Sequence, residues 1–500
     1  MRFAFRVDAT RQIGTGHFMR CLTLADELKK QGACVRFIGR DLPLHLAAML
    51  TEKAIEYVAL PSVSDHSSTD ELAHSKWLGV SQAEDASATH DALEGLEWDW
   101  MVVDHYALDA RWERILRASV KKIMVIDDLA DRQHDCDVLL DQNYYAGMCS
   151  RYQGKVPAYC EQLLGPGYAL LREEFRVLRA RIKPRSGAVE KILVFFGGVD
   201  ADNYTGMAIE ALAKIKGAWK IDVVIGAQHP CRENVEAACI KHGYQCHVQT
   251  SRMAELVAQA DLALGGGGTA IWERSCLGLP TIIFCTAENQ RLQVIDAADF
   301  GLVYSPISGR NVVEVIQMHT NALSENPALL RLLSNNQMRV VDGKGTFRVS
   351  AVLMDRQIAI RRATSQDSMS LFAWRNHPKI RAVSRIKAAI AWDEHQRWFH
   401  SVLVDGNREL LIGWDNDKPV GVVRFDKEQD FAEVSIYLVP DGDYSGQGKN
   451  LLFSAESWLK TNHPDIKGVR AHVLAKNEAS ENLFLGSKYQ KESVFYEKYF

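Results

Sequence analysis

The apolar positions at the start of the chain change from the period of a strand to the period of a helix. Phe3, Phe5 and Val7 fall on every second position, which predicts a half-buried strand. From Leu22 to Leu28 the apolar residues follow helical spacing and stop before Gly32, which predicts a helix ending at a glycine. The chain therefore opens with a strand, a loop and a helix.

Short apolar runs alternate with helical patterns over the first two-thirds of the chain, which is typical of βαβ units with parallel sheets. The polar stretch from Pro184 to Gly187 separates two series of such runs. Candidate strands are 34–39, 100–104, 122–127 and 138–141 in the first series, and 191–196, 220–225, 262–264 and 281–285 in the second. We therefore predict two Rossmann-like domains, residues 1–183 and 188–350, with a ligand cleft between them.

The pattern changes after Gly345, where the predicted strands become antiparallel in style. Candidate strands 410–414 and 419–425 flank a hairpin turn at 415–418. A further strand, 432–439, leads into a glycine-containing loop and a helix that begins near Lys449. Residues 357–500 are therefore predicted to form a separate α+β domain of ordinary size.

Composition narrows the class of protein. The 500 residues are 47% apolar and 24% charged, as in soluble globular proteins, and a net charge of −4 predicts neither nucleic acid nor a membrane surface as a partner. No apolar run is long enough to span a membrane, and Met1 leads directly into strand-like sequence rather than a signal peptide. The ten cysteines lie singly without zinc-binding spacing, which favours a cytoplasmic protein.

The first loop, Gly14-Thr15-Gly16-His17, carries the first candidate chemistry. Its two glycines allow backbone N–H groups to face an anion at the start of a helix. His17 lies at the carboxyl end of the predicted strand, where its imidazole could take a proton near neutral pH. The alternative interpretation is a glycine-rich turn with a histidine capping the helix.

A second loop of consecutive glycines runs from Gly265 to Gly268 and precedes another predicted helix. Its amides could bind a diphosphate, and Glu273, one turn later, could accept hydrogen bonds from ribose hydroxyls. Gly197-Gly198 follows another predicted strand and would add a close-approach loop at the same sheet edge. A tight turn with a structural glutamate is the alternative.

Together with Glu288-Asn289-Gln290, these loops resemble the two-domain B-type nucleotide-sugar glycosyltransferase fold. Over residues 1–350 the resemblance is closer to one family, the UDP-2,4-diacetamido-2,4,6-trideoxy-β-L-altropyranose hydrolases of pseudaminic acid biosynthesis. The motifs that match in order are Arg6-Val7-Asp8-Ala9, Gly14-Thr15-Gly16-His17, Met19-Arg20-Cys21-Leu22, Val103-Asp104-His105-Tyr106, Ile126-Asp127-Asp128 and Gly167-Tyr168-Ala169-Leu170-Leu171-Arg172-Glu173-Glu174-Phe175.

The resemblance implies attack of water at the anomeric carbon with inversion, releasing UDP and the free sugar. It implies that His17 is the general base and that Tyr106 and Asn289 line the sugar and phosphate site. His105 either orients the substrate or packs beside the cleft. The expected substrate-binding residues are Gly14, Thr15, Gly16, Asp104, His105, Tyr106, Gly197, Gly198, Gly267, Gly268, Thr269, Glu273, Glu288, Asn289 and Gln290.

No metal cofactor is expected. Asp135-Cys136-Asp137 spells the Asp-x-Asp of metal-dependent glycosyltransferases, but it lies at the start of a predicted strand. UDP is a good leaving group, so a base and a set of amides can suffice.

The last domain resembles the GCN5-related N-acetyltransferases, through the strand 436–439, the loop 441–452 and the helix 477–484. Residues 374–381 and 433–437 further resemble the acetyltransferase that acts on the 4-amino group of the UDP-sugar one step before the hydrolase. The resemblance implies acetyl-CoA as co-substrate. Its expected contacts are Leu438, Val439, Gly446, Gly448, Lys449, Asn450 and Asn477.

Two residues depart from the acetyltransferase pattern. Asp443 replaces the usual leading Gln or Arg of the loop, and Phe484 replaces the aromatic hydroxyl often proposed as general acid. Tyr489 or a water could supply the proton instead, and Glu433 is either a base for the amine or a solvated strand residue. A scaffold domain that binds no acetyl-CoA is the alternative.

The whole chain is therefore interpreted as a fused hydrolase and acetyltransferase that takes a small UDP-sugar, with enzymes of the same pathway as partners. Two other interpretations stay open. One is a glycosyltransferase on the same scaffold, and the other is a non-catalytic module that binds a nucleotide sugar or acyl-CoA.

Overall fold

The computed structural model describes residues 1–10, 13–61, 70–306, 311–354, 358–415, 417–440, 442, 444, 446–474, 477–487 and 489–492. Asn416 of the predicted hairpin turn and Asp443 of the predicted acetyl-CoA loop lie outside these residues. The chain divides into two compact units, Met1–Val349 and Ser350–Phe500. The three predicted domain ranges stay predictions, and each contains one of the three sheets described below.

The first sheet has seven parallel strands in the order β3-β2-β1-β4-β5-β6-β7. The strands are β1 Arg2–Val7, β2 Cys34–Gly39, β3 Glu56–Ala59, β4 Trp98–Asp104, β5 Val120–Ile126, β6 Val138–Asp141 and β7 Glu161–Leu164. The helices are α1 Gly16–Lys30, α2 Leu44–Glu52, α3 Gln82–Asp91, α4 Ala110–Leu116 and α5 Glu173–Arg179. Strand order reverses between β1 and β4, so a crevice opens at their carboxyl ends, where such sheets bind ligands.

The second sheet has five parallel strands in the order β10-β9-β8-β11-β12. They are β8 Lys191–Phe195, β9 Lys220–Ile225, β10 Gln245–Val248, β11 Leu262–Gly266 and β12 Thr281–Phe284. The helices are α6 Tyr204–Ala213, α7 Arg232–His242, α8 Met253–Gln259, α9 Ala270–Cys276, α10 Arg291–Asp299, α11 Val312–Ser324, α12 Pro327–Val340 and α13 Gly345–Leu353. The order reverses between β8 and β11, which precede the two glycine loops of this half.

Side-chain hydrogen bonds tie the two halves of the first unit together. Trp272 Nε1 donates to Asn143 Oδ1 at 2.9 Å, and the backbone N–H of Ala146 donates to Asp296 at 2.9 Å. In the stretch predicted as a linker, the Arg185 guanidinium donates to carbonyls at the end of α8, those of Val257, Ala258 and Ala260, at 2.9, 3.0 and 3.1 Å. The linker is therefore fixed to the second half by the carbonyl groups that a helix end leaves unpaired.

The second unit contains one five-stranded sheet in the sequential order β13 to β17. Its elements are β13 Ala359–Arg362, α14 Ser368–Asn376, α15 Pro378–Ala382, α16 Trp392–Val404, β14 Arg408–Asp415, β15 Lys418–Glu428, β16 Phe431–Leu438, α17 Gln447–Asn462, β17 Gly468–Ala471 and α18 Glu478–Gly486. The expectation of antiparallel strands is confirmed for β13 to β16, but β17 pairs with β16 in parallel. The reason is that α17 forms the crossover that a parallel pair requires.

Leu451, Leu452 and Ala455 of α17 are fully buried in one core cluster with Val423 and Phe425 of the sheet. Among the described residues, no helix is both long enough and apolar enough to cross a membrane.

Candidate functional site

His17 lies at the carboxyl end of β1, in the first turn of α1. Asp104, the last residue of β4, stands beside Val7 of β1 in the parallel register. This pairing brings His17 Nδ1 to 2.5 Å from Asp104 Oδ1, a contact between residues 87 positions apart in the chain. The sheet and the first turn of α1 therefore assemble an imidazole–carboxylate pair.

Arg20 fixes the carboxylate of this pair from the same face of α1. Its Nε and Nη2 donate to the two oxygens of Asp104 at 2.6 and 2.7 Å. Asp104 is 1% exposed, and burial opposes its ionisation, but the charges of Arg20 and His17 hold the pKa of this carboxyl far below its usual range. A carboxylate can only accept, so His17 Nδ1 donates to it and Nε2 is left as the proton acceptor.

The network continues to a second carboxylate and a tyrosine. Arg20 Nη1 donates to Asp128 Oδ2 at 2.7 Å, and the Tyr106 hydroxyl donates to the same oxygen at 2.7 Å. The Tyr106 ring stands edge-on to the His17 ring, with 4.6 Å between centroids. The imidazole is thus held by a carboxylate on one side and an aromatic ring on another.

Arg20 and Asp128 belong to the motifs that match the hydrolase family, but neither residue was predicted to act in the site. A signal was available for Arg20, because a position three residues after His17 lies on the same helix face. The sequence did not indicate which of the nearby carboxylates it would bind.

His105, for which both roles stay open, is buried next to Asp104 in the chain. It is 3% exposed, with Nδ1 accepting from the Ala107 N–H at 3.2 Å and Nε2 lying 3.3 Å from Asp8. Burial lowers the pKa of His105, although Asp8 acts in the opposite direction. That Asp104 and His105 bind the substrate stays a prediction; in the structure the Asp104 oxygens and His105 Nδ1 are hydrogen-bonded to protein groups.

The loops of the second half face the His17 loop across the cleft. A Cβ on Gly16 would lie 3.7 Å from Thr269 Oγ1, and a Cβ on Gly198 would lie 3.6 Å from Thr15 Oγ1. Gly14 and Gly197 have φ values of +75° and +113°, which side chains other than that of glycine rarely adopt. The predicted loops Gly14–Gly16, Gly197–Gly198 and Gly267–Thr269 therefore line one cleft.

Glycine is required at two positions of the four-glycine run because neighbouring groups are close. A Cβ on Gly265 would lie 2.6 Å from the Phe195 carbonyl oxygen, and one on Gly267 would lie 2.6 Å from the Val294 side chain. A Cβ on Gly268 would meet Gln290 Nε2 at 3.6 Å, so Gln290 lies against this loop. Glu288 and Asn289 are exposed, and Glu288 lies 3.5 Å from Arg291.

Glu273, expected at the ribose, forms an ion pair in the structure. Its Oε1 accepts from Arg172 Nη2 at 3.1 Å, and Arg172 also contacts Glu174 at 3.0 Å. Glu273 is partly exposed, and a carboxylate has capacity for further hydrogen bonds. Arg172, in the Gly167–Phe175 motif, thereby links the first half to the second.

The two carboxylates of Asp135-Cys136-Asp137 bind an arginine. Arg117 lies 2.6 Å from Asp137 and 3.4 Å from Asp135. His90, Asp91 and Glu94 are close enough to share an ion, but they are exposed and lie at and just after the end of α3, at the amino end of the first sheet, opposite His17.

In the second unit, β16 and β17 separate along their length. Their pairing ends at Val434 and Ala471, whereas β16 continues beside β15 to Leu438. The segment up to Leu438 and Val439 therefore has no strand on its β17 side among the described residues. Gly446, with φ of +89°, precedes α17.

The predicted acetyl-CoA residues near the start of α17 and α18 have structural contacts of their own. A Cβ on Gly448 would lie 3.6 Å from the Leu483 side chain, so the start of α17 lies against α18. Asn450 Nδ2 donates to the Ala351 carbonyl at 3.4 Å, and Asn477 caps α18 by accepting from the Ser480 N–H at 3.2 Å. Lys449 lies in the first turn of α17.

Phe484 is part of the core of this unit. It is 7% exposed and packs against Tyr489, with 5.0 Å between ring centroids. The Tyr489 hydroxyl donates to Glu456 Oε1 at 2.5 Å, and burial together with this hydrogen bond raises the pKa of Tyr489. The hydroxyl of the tyrosine that packs on Phe484 is therefore bound to a carboxylate. Glu433 is exposed on β16.

The fold of the first unit and the site of the second define the class of protein. The structure of Phytolacca americana UGT2 complexed with UDP-2-fluoro-glucose and pterostilbene matches 71% of this chain and 98% of its own, with a TM-score of 0.51 at 10% identity, a likeness that shows the fold alone. The acetyltransferase (GNAT) family matches residues 370–486. The predicted fold class is confirmed, with two Rossmann-like sheets in a B-type glycosyltransferase arrangement followed by an N-acetyltransferase domain.

Sequence relatives show which proteins each unit of the chain is similar to. Acetyltransferase PseH of Campylobacter jejuni is 30% identical over 140 residues, 26% of this chain and 84% of PseH. The UDP-2,4-diacetamido-2,4,6-trideoxy-β-L-altropyranose hydrolase of C. jejuni is 25% identical over 296 residues, 58% of this chain and 93% of that protein. The uncharacterised protein MJ1062 of Methanocaldococcus jannaschii is 23% identical over 98% of both chains. The chain belongs to the acetyltransferase (GNAT) family through its second unit and is homologous to the hydrolase through its first.

Proposed function

We propose that the first unit hydrolyses UDP-2,4-diacetamido-2,4,6-trideoxy-β-L-altropyranose with inversion at the anomeric carbon. The observation that carries the proposal is the His17–Asp104–Arg20 arrangement at the mouth of the cleft. The homologous hydrolase supports the choice of substrate. Both the reaction and the sugar are part of the proposal.

In this reaction His17 acts as the general base. Nδ1 donates to Asp104, so Nε2 takes a proton from a water molecule, and the water oxygen attacks the anomeric carbon. The bond between that carbon and the diphosphate oxygen breaks, and its electron pair leaves with UDP. The ionised Asp104, held by Arg20, stabilises the imidazolium that forms, as a carboxylate does in a catalytic triad.

The glycine loops provide for the leaving group. We propose that backbone N–H groups of Thr15–Gly16, Gly197–Gly198 and Gly267–Thr269 donate to the diphosphate, and that Glu273 accepts from the ribose. The Asp-x-Asp carboxylates bind Arg117, so we expect the reaction to proceed without a metal ion.

We further propose that the second unit transfers an acetyl group from acetyl-CoA to the 4-amino group of the precursor sugar. The amine attacks the thioester carbonyl, the carbon–sulfur bond breaks, and the thiolate takes a proton. Gly446 and Gly448 at the start of α17 would receive the pyrophosphate, with Leu438 and Val439 along the pantetheine. Since Tyr489 donates to Glu456, we expect this transfer to be slow.

The singly placed cysteines support action in the cytoplasm, beside enzymes that make and use the same sugars. The chain is proposed to bind neither nucleic acid nor membranes.

Incubating the full chain with the UDP-diacetamido sugar and following UDP tests the first activity. We expect UDP release that EDTA leaves unchanged and that does not require a sugar acceptor. Dependence on an added acceptor would favour the glycosyltransferase alternative, and absence of UDP release would overturn the proposal.

Incubation with acetyl-CoA and the UDP-4-amino sugar, followed by free thiol, tests the second activity. Acetyl-CoA binding without thiol release would favour the scaffold alternative. Absence of binding would overturn the acetyltransferase proposal.

A further inference from the structure

Three rings form a continuous aromatic surface beside His17. His74 and Trp77 lie on either end of a 3-10 turn that contains Ser75–Trp77, with 4.3 Å between their ring centroids. Trp77 stacks on Tyr106 with 5.7 Å between centroids and 27° between planes, and His74 lies 5.5 Å from Tyr106. We call His74, Trp77 and Tyr106 the aromatic wall.

The wall is fixed at its inner end and open at its outer end. Tyr106 is 5% exposed, its hydroxyl is bound to Asp128, and its ring contacts His17. Trp77 and His74 are only half-buried, and the Tyr106 ring connects their rings to that of His17.

The wall is also uncharged near neutral pH. Burial lowers the pKa of His74, and of the ionisable groups around it Asp131 raises that pKa whereas Arg132, His17 and His105 lower it. A neutral imidazole, an indole and a tyrosine ring offer apolar faces and few hydrogen-bonding atoms.

We propose that the aromatic wall is the subsite for the apolar edge of the sugar, and that Trp77 and His74 select sugars with a deoxy carbon and acetamido methyl groups. This inference rests on the proposed hydrolase function and deepens it. A methyl group against these rings leaves water favourably, whereas a hydroxyl in the same place would lose its hydrogen bonds to water. An apolar site can discriminate between such groups by about 10–100-fold.

Nothing in the sequence pattern indicated Trp77 or His74. They lie between the predicted strands of the first series, outside every motif that was quoted. Only the fold brings them to Tyr106, which is separated from Trp77 by 29 positions, the difference between 106 and 77.

Variants of Trp77 test the inference in the full chain by kinetics, which report on the hydrolase site alone. We expect Trp77→Ala to lower kcat/KM for the UDP-diacetamido-trideoxy sugar about tenfold or more. The inhibition constants of UDP and of UDP-glucose, which carries a 6-hydroxyl and no acetamido group, should change less than about threefold, because they do not depend on a methyl contact. Trp77→Phe keeps a ring and should restore most of the loss.

Three results would overturn the inference. The first is an unchanged kcat/KM for the deoxy sugar in Trp77→Ala. The second is a rise in the UDP inhibition constant as large as the fall in kcat/KM, which would show that the substitution affects nucleotide binding or folding. The third is loss of activity in Trp77→Phe as large as in Trp77→Ala. If the wild type hydrolyses the sugar and a variant gives any of these results, only the proposed subsite is wrong. If the wild type releases no UDP, the proposed function is wrong as well.

Discussion

The two candidate sites differ in how far the folded chain prepares them for proton transfer. In the first unit, Asp104 and Arg20 fix the proton on His17 Nδ1 and leave Nε2 as an acceptor. In the second, β16 extends beyond its pairing with β17 and Gly446 precedes α17, but the hydroxyl of Tyr489, which packs on Phe484, donates to Glu456. The contrast teaches that a domain can keep the glycines and strand geometry of its fold while the hydroxyl beside them is bound to a carboxylate.

Among the substitutions that test this contrast, removal of the proposed general base should change the reaction rate most. We expect His17→Asn to lower the rate of UDP release by about 10²–10⁴-fold, because the general base is lost. Where the residual rate permits the measurement, we expect the inhibition constant of UDP to be unchanged, since most of the proposed UDP contacts belong to the second half. His90→Asn, an exposed histidine at the opposite end of the sheet, is the matched control. A rate above about a tenth of wild type in His17→Asn would be incompatible with the role assigned to it.

Neutralising the carboxylate should have the next largest effect. Asp104→Asn removes the charge that stabilises the imidazolium and allows the other tautomer of His17, so we expect kcat to fall by about 10²-fold with KM little changed. Asp99→Asn is the control on the same strand. The Asp99 carboxylate pairs with Lys121, so we expect this substitution to leave kcat unchanged. Thermal unfolding of both variants separates positioning from folding. An equal loss of kcat in the two variants would argue against a catalytic role for the His17–Asp104 pair.

The ribose contact should have a smaller effect. Glu273→Ala removes a charge-assisted hydrogen bond, and we expect the UDP inhibition constant to rise by about tenfold, corresponding to roughly 1.5 kcal/mol. Glu174→Ala removes the other carboxylate beside Arg172 and controls for the freed arginine. Equal UDP inhibition in the Glu273 variant and the wild type would place the ribose elsewhere.

The smallest effect is expected in the second unit. Phe484→Tyr adds a hydroxyl, and we expect the rate of thiol release to rise a few-fold. A well-placed general acid would raise the rate by about 10²–10⁴-fold, but we expect less because the ring lies in the core. Phe453→Tyr, on an exposed phenylalanine of α17, is the control. A slower Phe484→Tyr would show that the missing hydroxyl does not limit the reaction.

The sequence predicted the central strands better than the edge strands, and burial explains why. The strands it missed are β3, β7, β10, β13 and β17, each four residues long and at the edge of a sheet. Most of their residues are exposed or half-buried, so they do not form apolar runs. The edge strand β12 was predicted, because all four of its residues are buried.

The candidate site was predictable where one loop carried the chemistry. His17 and the glycine loops were found from local pattern, because a strand, glycines and a helix are adjacent in sequence. The groups around His17 were not, because Asp104 reaches His17, Asp128 reaches Arg20 and Trp77 reaches Tyr106 only through strand order and a 3-10 turn. Contacts between distant positions have no local period to indicate them.

The fate of the attacking oxygen tests the hydrolase proposal most directly. The full chain would be incubated with the UDP-diacetamido sugar in H₂¹⁸O, and the products would be followed by NMR and mass spectrometry from the first turnover. We predict ¹⁸O on the anomeric carbon of the sugar, unlabelled UDP, and an anomer of inverted configuration before mutarotation. Label on the UDP phosphate, or initial release of the retained anomer, would contradict attack by a water molecule that His17 activates.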